Sequence, residues 1–225
     1  IELFAMGKQH FQVPFAEKEA AKAMGARWDP AAGLWYAPTP EIAQRLQARW
    51  PMGGLEDTLT LLPGEDRNFG GNFLFVDLIP RSCWFTNVRS CIDAGSWQRL
   101  SRLTRQRAGH RCEVCSGQAQ PQRGVHLEAH ERWEYLPQTG VQSLRRIVTL
   151  CTWCHLVTHW GYAQVSGREA LARRHYKEVS GLDDHGVNHA VAEAFALWSE
   201  RSQRSWTLDV SILSLAGLVL TPPSR

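Results

Sequence analysis

The stretch LCTWCHLVTHWG, Leu150–Gly161, places two cysteines and two histidines within nine residues. A second C-x-x-C pair comes earlier in the chain, and 35 residues separate it from the first cysteine of this stretch. Two such pairs can aim four thiolates at one point, which is the tetrahedral shell that zinc prefers. We therefore predict a structural Zn²⁺ held by Cys112, Cys115, Cys151 and Cys154.

The two histidines of the same stretch are then left for a different site. His155 and His159 stand four residues apart, so on a helix their rings lie about 6 Å apart on one face and can bind one divalent ion. A mixed site that joins Cys151 or Cys154 to the two histidines is the alternative, although it would leave the first cysteine pair without a role. Ordinary surface or core histidines are the other alternative.

A third histidine lies between the two cysteine pairs, in VHLEAHERWEYL. Alternation along a strand puts His126, Glu128 and His130 on one face. The same alternation puts Leu127, Ala129 and Glu131 on the other face. This segment therefore offers further ligands or a catalytic group beside the helix histidines.

The order of these motifs resembles the HNH endonucleases over about residues 105–165. The matching text is C-x-x-C, then LEAHE, then LCTWCHLVTH. The resemblance implies a zinc-stabilised, treble-clef-like ββα-metal domain that hydrolyses DNA phosphodiester bonds. It also implies a catalytic Mg²⁺, Mn²⁺ or Zn²⁺ held by His155 and His159, with His130 or Glu128 as a further candidate ligand.

Two departures from the family pattern leave alternatives open. The family commonly has a metal ligand followed directly by the general base, whereas this chain has Ala129, His130 and Glu131 in succession. Either His130 is the base, or His130 binds the metal and Glu131 is the base. Arg146 stands where the family has an asparagine. The alternative function is therefore a catalytically inactive zinc-stabilised module that binds DNA or protein.

The basic residues are concentrated in one segment. The chain has a formal net charge of +3, but residues 81–123 hold eight arginines against two acids. Clustered guanidinium groups suit a phosphate backbone, and a solvated helix face is the ordinary alternative. We predict a helix from about Ser96 to Ala108 that turns arginines outward. The candidate DNA contacts are Arg99, Arg102, Arg105 and Arg146.

The composition is that of a globular α+β protein without a membrane span. Hydrophobic residues make up 44% and charged residues 21% of the chain, and no run of about 20 apolar residues occurs. The first residues lack the pattern of a secretion signal, which favours a cytoplasmic location. Cys83 and Cys91 are predicted to be buried thiols. The oligomeric state is left open.

Turn-forming residues divide the chain into a small α+β domain (residues 1–56), a linker (57–72) and the nuclease-type domain (73–225). In the first domain we predict strands at HFQVPF and LWYAP, helices at about 16–25 and 40–50, and a turn at WDPAAG. In the second we predict a strand at FLFVDLIP, residues 73–80, paired with WTLDVSIL near the end, and a helix near 187–200.

The segment VPFAEKEAAKAMGARWDPAAGLWYAP in the first 50 residues resembles a small domain of unknown function found in plasmid and conjugative primase-type proteins. A nucleic-acid surface is one interpretation, because cations stand beside aromatic side chains. The residues concerned are Lys18, Lys22, Arg27, Trp28, Trp35 and Tyr36. The alternative is that the tryptophans fill the core and that the domain binds protein.

Overall fold

The computed structural model describes residues 9–30, 34–50, 62–84 and 86–221. They fall into two compact units, one within residues 1–60 and one within residues 61–225. Each unit contains one three-stranded sheet together with helices. The predicted α+β class is therefore confirmed.

The first unit is an antiparallel sheet with two helices. Its elements are β1 (Gln9–Phe11), α1 (Lys18–Ala23), β2 (Arg27–Asp29), β3 (Leu34–Ala37) and α2 (Pro40–Gln47). Strand β3 lies in the centre and pairs with β1 and β2. Strand β2 was not predicted, because it takes two residues of the expected turn WDPAAG and is too short for an alternating pattern to show.

The second unit is built around a long hairpin. Its elements, in chain order, are α3 (Val88–Cys91), α4 (Ala94–Arg107), β4 (Leu127–Leu136), β5 (Val141–Cys151), α5 (Thr152–Thr158), α6 (Trp160–Val165), α7 (Glu169–Ser180), α8 (Asp184–Arg201), β6 (Thr207–Asp209) and α9 (Ser211–Leu215). Strands β4 and β5 are antiparallel, and α5 follows β5 directly. The hairpin occupies most of the chain between the two cysteine pairs.

The predicted pairing of FLFVDLIP with the C-terminal strand is wrong. Residues 73–80 form no strand, and β6 instead pairs in parallel with the start of β5. Leu74 and Val76 are buried in a core cluster that includes Trp160, and the N–H of Asp77 donates to the carbonyl of Thr158 at 3.0 Å. The apolar residues of this segment are thus buried against helices. The sequence pattern cannot distinguish such a segment from a strand that pairs in a sheet.

The described part of the predicted linker, residues 62–72, belongs to the second unit. Glu65 is buried there, and its carboxylate accepts two hydrogen bonds from Arg107, both at 2.7 Å. The N–H of Ile147 donates to the same carboxylate at 2.9 Å. The glycines and the proline here therefore belong to turns of a segment that packs within the second unit, and not to a linker. Residues 57–61 of that prediction lie outside the described residues.

The predicted helices of the second unit are present as α4 and α8. Helix α4 begins after Asp93, whose carboxylate accepts from the N–H groups of Gly95 and Ser96. Leu100 on α4 is buried in the core under the hairpin. Within the described parts of the chain, no helix combines the length and the apolar character that crossing a membrane requires.

Candidate metal centres and active-site cleft

The four cysteines of the two C-x-x-C pairs form one group. The first pair lies in a turn after α4, and the second lies where β5 passes into α5. Their sulfur atoms lie within 4.8 Å of one another, and Cys115 Sγ is 3.6 Å from Cys151 Sγ. Zn–S bonds of about 2.3 Å in a tetrahedron separate the sulfurs by about 3.8 Å. The group can therefore hold a structural metal such as zinc.

The turn after the first cysteine pair shows why a glycine follows it. Ser116 has a φ of 60°, and its N–H donates to the carbonyl of Cys112 at 2.9 Å. Gly117 lacks a positive φ, but a Cβ there would lie 3.2 Å from Cys115 Sγ. The serine therefore makes the left-handed turn, and the glycine leaves space for the sulfur.

A residue outside both motifs contacts the cysteine group. His175 on α7 brings Nε2 to within 3.2 Å of Cys154 Sγ. A ring N–H that donates to a ligand sulfur orients the ligand and tunes its basicity. No motif indicates this contact, since His175 is 21 residues from Cys154.

Three histidines from β4 and the α5 region form a second group. His130 comes from the middle of β4, His155 from α5, and His159 from the junction of α5 and α6. One ring nitrogen from each lies within 4.8 Å of the other two. The N–H of His159 still donates to the carbonyl of His155 at 3.0 Å, so the i,i+4 relation survives the break in the helix.

The surroundings of the three-histidine group favour neutral imidazole rings. His130 is buried, and neither of its ring nitrogens has a hydrogen-bond partner among the described residues. Burial, with the neighbouring His159 and His155, holds the pKa of His130 well below its usual range. Burial also lowers the pKa of His159 to about 4. A buried, unpartnered imidazole is costly unless a metal ion binds it, so the residues fit a divalent ion.

Glu128 lies beside the histidines without belonging to the three-histidine group. Its Oε2 is 3.1 Å from Nδ1 of His155. The contact with His155 is the main cause that lowers the pKa of Glu128. Glu128 is therefore placed to orient His155, a position typical of the outer shell of a metal site.

Glu131 follows His130 on β4 and also lines the cleft. Its Oε1 accepts a hydrogen bond of 3.2 Å from the N–H of Val88, the first residue of α3. Burial raises the pKa of the Glu131 carboxyl. The structure thus places the half-buried Glu131 in the same cleft as the three-histidine group.

The three-histidine group lines a cleft of about 1110 Å³. Arg89, Arg102 and Arg105 line the same cleft. None of the three arginines has an ion-pair partner within the described ranges. Burial lowers the pKa of Arg105, and the nearby charge of Arg102 lowers it further. The cleft therefore combines candidate metal ligands with unpaired cations.

Two of the four arginines predicted to contact DNA, Arg99 and Arg146, do not line the cleft. Arg99 is half-buried, donates to the Ser96 hydroxyl at 2.9 Å, and is not among the residues that line the cleft. Arg146 is buried and donates to the Gly71 carbonyl at 2.9 Å and to Glu113 at 3.1 Å. The prediction that Arg146 contacts DNA is therefore wrong, because its guanidinium is enclosed within the fold.

The remaining predicted residues divide between core and surface. Cys83 and Cys91 are buried, and burial raises the pKa of both thiols. In the first unit Trp35 is buried, while Trp28 is half exposed and meets it edge to face at 5.6 Å. Lys22 lies 6.0 Å above the Trp35 ring. One tryptophan thus fills the core and the other remains at the surface.

Residues 8–52 match a protein family described as Domain of unknown function (DUF5710). This confirms the resemblance of the first 50 residues to a domain of unknown function. The match does not reach the second unit, which holds both candidate metal centres. No curated protein and no solved structure matches the chain.

Proposed function

We propose that the second unit is a metal-dependent endonuclease of the HNH type that hydrolyses phosphodiester bonds in DNA. The observation that carries the proposal is the convergence of His130, His155 and His159 at the end of a ββα unit. The four-cysteine group, proposed as a structural zinc site, connects the turn before β4 to the junction of β5 and α5. The order of cysteine pair, hairpin and helix is the order that the resemblance implies.

The three histidines would hold the catalytic ion, Mg²⁺, Mn²⁺ or Zn²⁺. When bound, such an ion polarises the scissile phosphate and stabilises charge on the leaving 3′ oxygen. The chain itself supplies neutral imidazoles, since burial disfavours protonation of His130 and His159. Glu128 keeps the His155 ring in one orientation through its contact with Nδ1.

The geometry favours one of the two alignments that the sequence left open. His130 stands with the helix histidines and has no other polar partner in the described chain, as a metal ligand would. Glu131 is then the general base, and its carboxylate takes a proton from the water whose oxygen attacks phosphorus. The raised pKa of the Glu131 carboxyl makes it a stronger base than an ordinary carboxylate, which suits this role.

The arginines of the cleft would bind the DNA backbone. Arg102 and Arg105 project from α4 into the cleft, and Arg89 comes from α3. Guanidinium groups form bidentate hydrogen bonds with phosphate oxygens and would hold the DNA strand beside the histidines. DNA is accordingly the proposed partner of this unit.

Cleavage of supercoiled plasmid by the full chain with added Mg²⁺ or Mn²⁺ tests the proposal. We expect nicked or linear product from the native chain, and none from His159→Ala or Glu131→Gln. The matched control is His189→Ala, because His189 is an exposed histidine on α8 that pairs with Glu193.

Metal content separates the two alignments. If His130 is a ligand, His130→Ala should lose the second metal, whereas Glu131→Gln should keep it and still fail to cleave. A native chain that binds DNA but cleaves none under any of these ions would contradict the nuclease and favour the inactive binding module. Activity equal to native in His159→Ala would contradict the site.

A further inference from the structure

Exposed aromatic side chains line the cleft beside the three-histidine group. Trp84 is 58% exposed and Tyr162 is 59% exposed, and both line the same cleft as His159. Tyr162 lies on α6, three residues after His159 in the sequence. Large exposed apolar surface next to a polar site commonly marks a binding surface.

The Trp84 indole is held in place although it is exposed. Its Nε1–H donates to the carbonyl of Ile79 at 2.8 Å, and Trp198 donates to the same carbonyl at 3.0 Å. One oxygen thus anchors two indoles that line the cleft. An anchored ring loses little conformational freedom on binding, which suits a stacking platform.

Arginine side chains line the cleft together with these aromatic rings. Arg89 lies above the Trp97 ring, with its guanidinium carbon 5.2 Å from the centroid, and both residues line the cleft. Arg102 and Arg105 add two further positive charges, which no carboxylate of the described residues neutralises within ion-pair distance. Three carboxylates, Asp77, Glu128 and Glu131, also line the cleft, but Asp77 pairs with Arg201 and Glu128 with His155. Arg102 and Arg105 therefore remain available to bind phosphate groups beside exposed aromatic rings.

That combination distinguishes an unpaired strand from a duplex. In a duplex the neighbouring base pairs cover the faces of each base, so aromatic side chains gain little from contact. An unpaired strand offers open base faces and a phosphate backbone together, and proteins bind it with stacking platforms set in a basic groove.

We propose that the cleft binds single-stranded DNA, with bases stacked on Trp84 and Tyr162 and with phosphates at Arg102 and Arg105. The placement of the scissile phosphate at the histidines rests on the proposed nuclease function. The binding itself does not, because the aromatic and arginine side chains act without a metal ion.

Fluorescence anisotropy with a labelled 12-nucleotide single strand, and with the matching duplex, tests this inference on the full chain without added divalent ion. We expect the single strand to bind at least about tenfold more tightly than the duplex. Trp84→Ala and Tyr162→Ala should each weaken single-strand binding by about tenfold, since one stacked base is lost. Trp84→Phe should restore much of the affinity.

The matched control is Phe73→Ala, which removes an exposed aromatic of the same unit that does not line the cleft. It should bind like the native chain. Equal affinity for duplex and single strand, or aromatic variants that match this control, would overturn the inference. Selective single-strand binding with no cleavage of any DNA would support it and overturn the nuclease proposal. Preferential duplex cleavage would do the reverse.

Discussion

Glu128 Oε2 lies 3.1 Å from Nδ1 of His155, which leaves Nε2 as the nitrogen that His155 can offer to a metal ion. The two residues are 27 positions apart, on β4 and α5. The contact connects the strand face predicted from alternation with the helix histidines predicted from spacing. It makes Glu128 a positioning residue in the proposed site.

Glu128→Gln should weaken divalent-ion binding to the three-histidine group by about 10- to 100-fold, because the outer partner of a ligand histidine is lost. Isothermal titration with Mn²⁺ measures the affinity, and thermal unfolding should be close to native. Glu193→Gln is the control, since it removes the carboxylate of the exposed pair with His189. Native affinity in Glu128→Gln would remove Glu128 from the site.

Cys112→Ser should lose zinc and unfold the second unit, because binding of a structural zinc contributes directly to folding free energy. Metal analysis and circular dichroism measure the two effects. Cys83→Ser is the matched control, as Cys83 is a buried thiol outside the four-cysteine group. A Cys112→Ser chain with native zinc content and stability would contradict the structural site.

The double variant His155→Ala/His159→Ala should retain one zinc per chain, because the four cysteines hold that ion without the histidines. Native mass spectrometry counts the metals, and the spectrum of the cobalt-substituted protein reports the ligands. The thiolate-bound ion should show sulfur ligands alone. Loss of the last zinc from the double variant, or nitrogen from His155 or His159 in the thiolate-bound shell of the native chain, would contradict the division into two centres.

Arg146→Gln should destabilise the second unit by about 3 kcal/mol or more, since it removes a buried cation from Glu113 and from backbone carbonyls. Arg102→Gln should leave stability unchanged and reduce the salt dependence of DNA binding by about one phosphate contact. Urea unfolding and anisotropy at several salt concentrations separate the two effects. The reverse result would restore Arg146 as a DNA contact.

The low pKa of His159 makes stability depend on pH when the three-histidine group holds no metal. The unfolded chain protonates this histidine near its ordinary pKa of about 6.5, and the folded chain only near 4. Between these pKa values the unfolded state binds more protons than the folded state. The free energy of unfolding therefore decreases by about 1.4 kcal/mol per pH unit as the pH falls.

The slope of unfolding free energy against pH, from urea denaturation between pH 6.5 and 4, should therefore be shallower in His159→Gln than in the native chain. His185→Gln, which replaces an exposed histidine on α8, should keep the native slope. Identical slopes in all three chains would show that His159 protonates alike in the folded and unfolded states.

Local spacing predicted those parts of the structure that depend on neighbouring residues. The two cysteines of each C-x-x-C pair lie close together, and His155 and His159 stay close because four residues on a helix make about one turn. The helix predicted from about Ser96 to Ala108 is present as α4 (Ala94–Arg107) for the same reason, since its period is local. Strand β2 and the break in the helix at His159 were missed, because both are shorter than the window over which a period can be recognised.

The sequence by itself determined the chemistry available to this protein, namely four thiolates in two pairs, a histidine pair and a basic helix. Tertiary structure decided what each group meets. It brought His130 and Glu128 to the helix histidines, placed His175 against Cys154, enclosed Arg146 and opened the aromatic cleft. The physical reason is that period and spacing fix only the face on which a side chain lies. The partner on that face comes from packing between segments far apart in the chain.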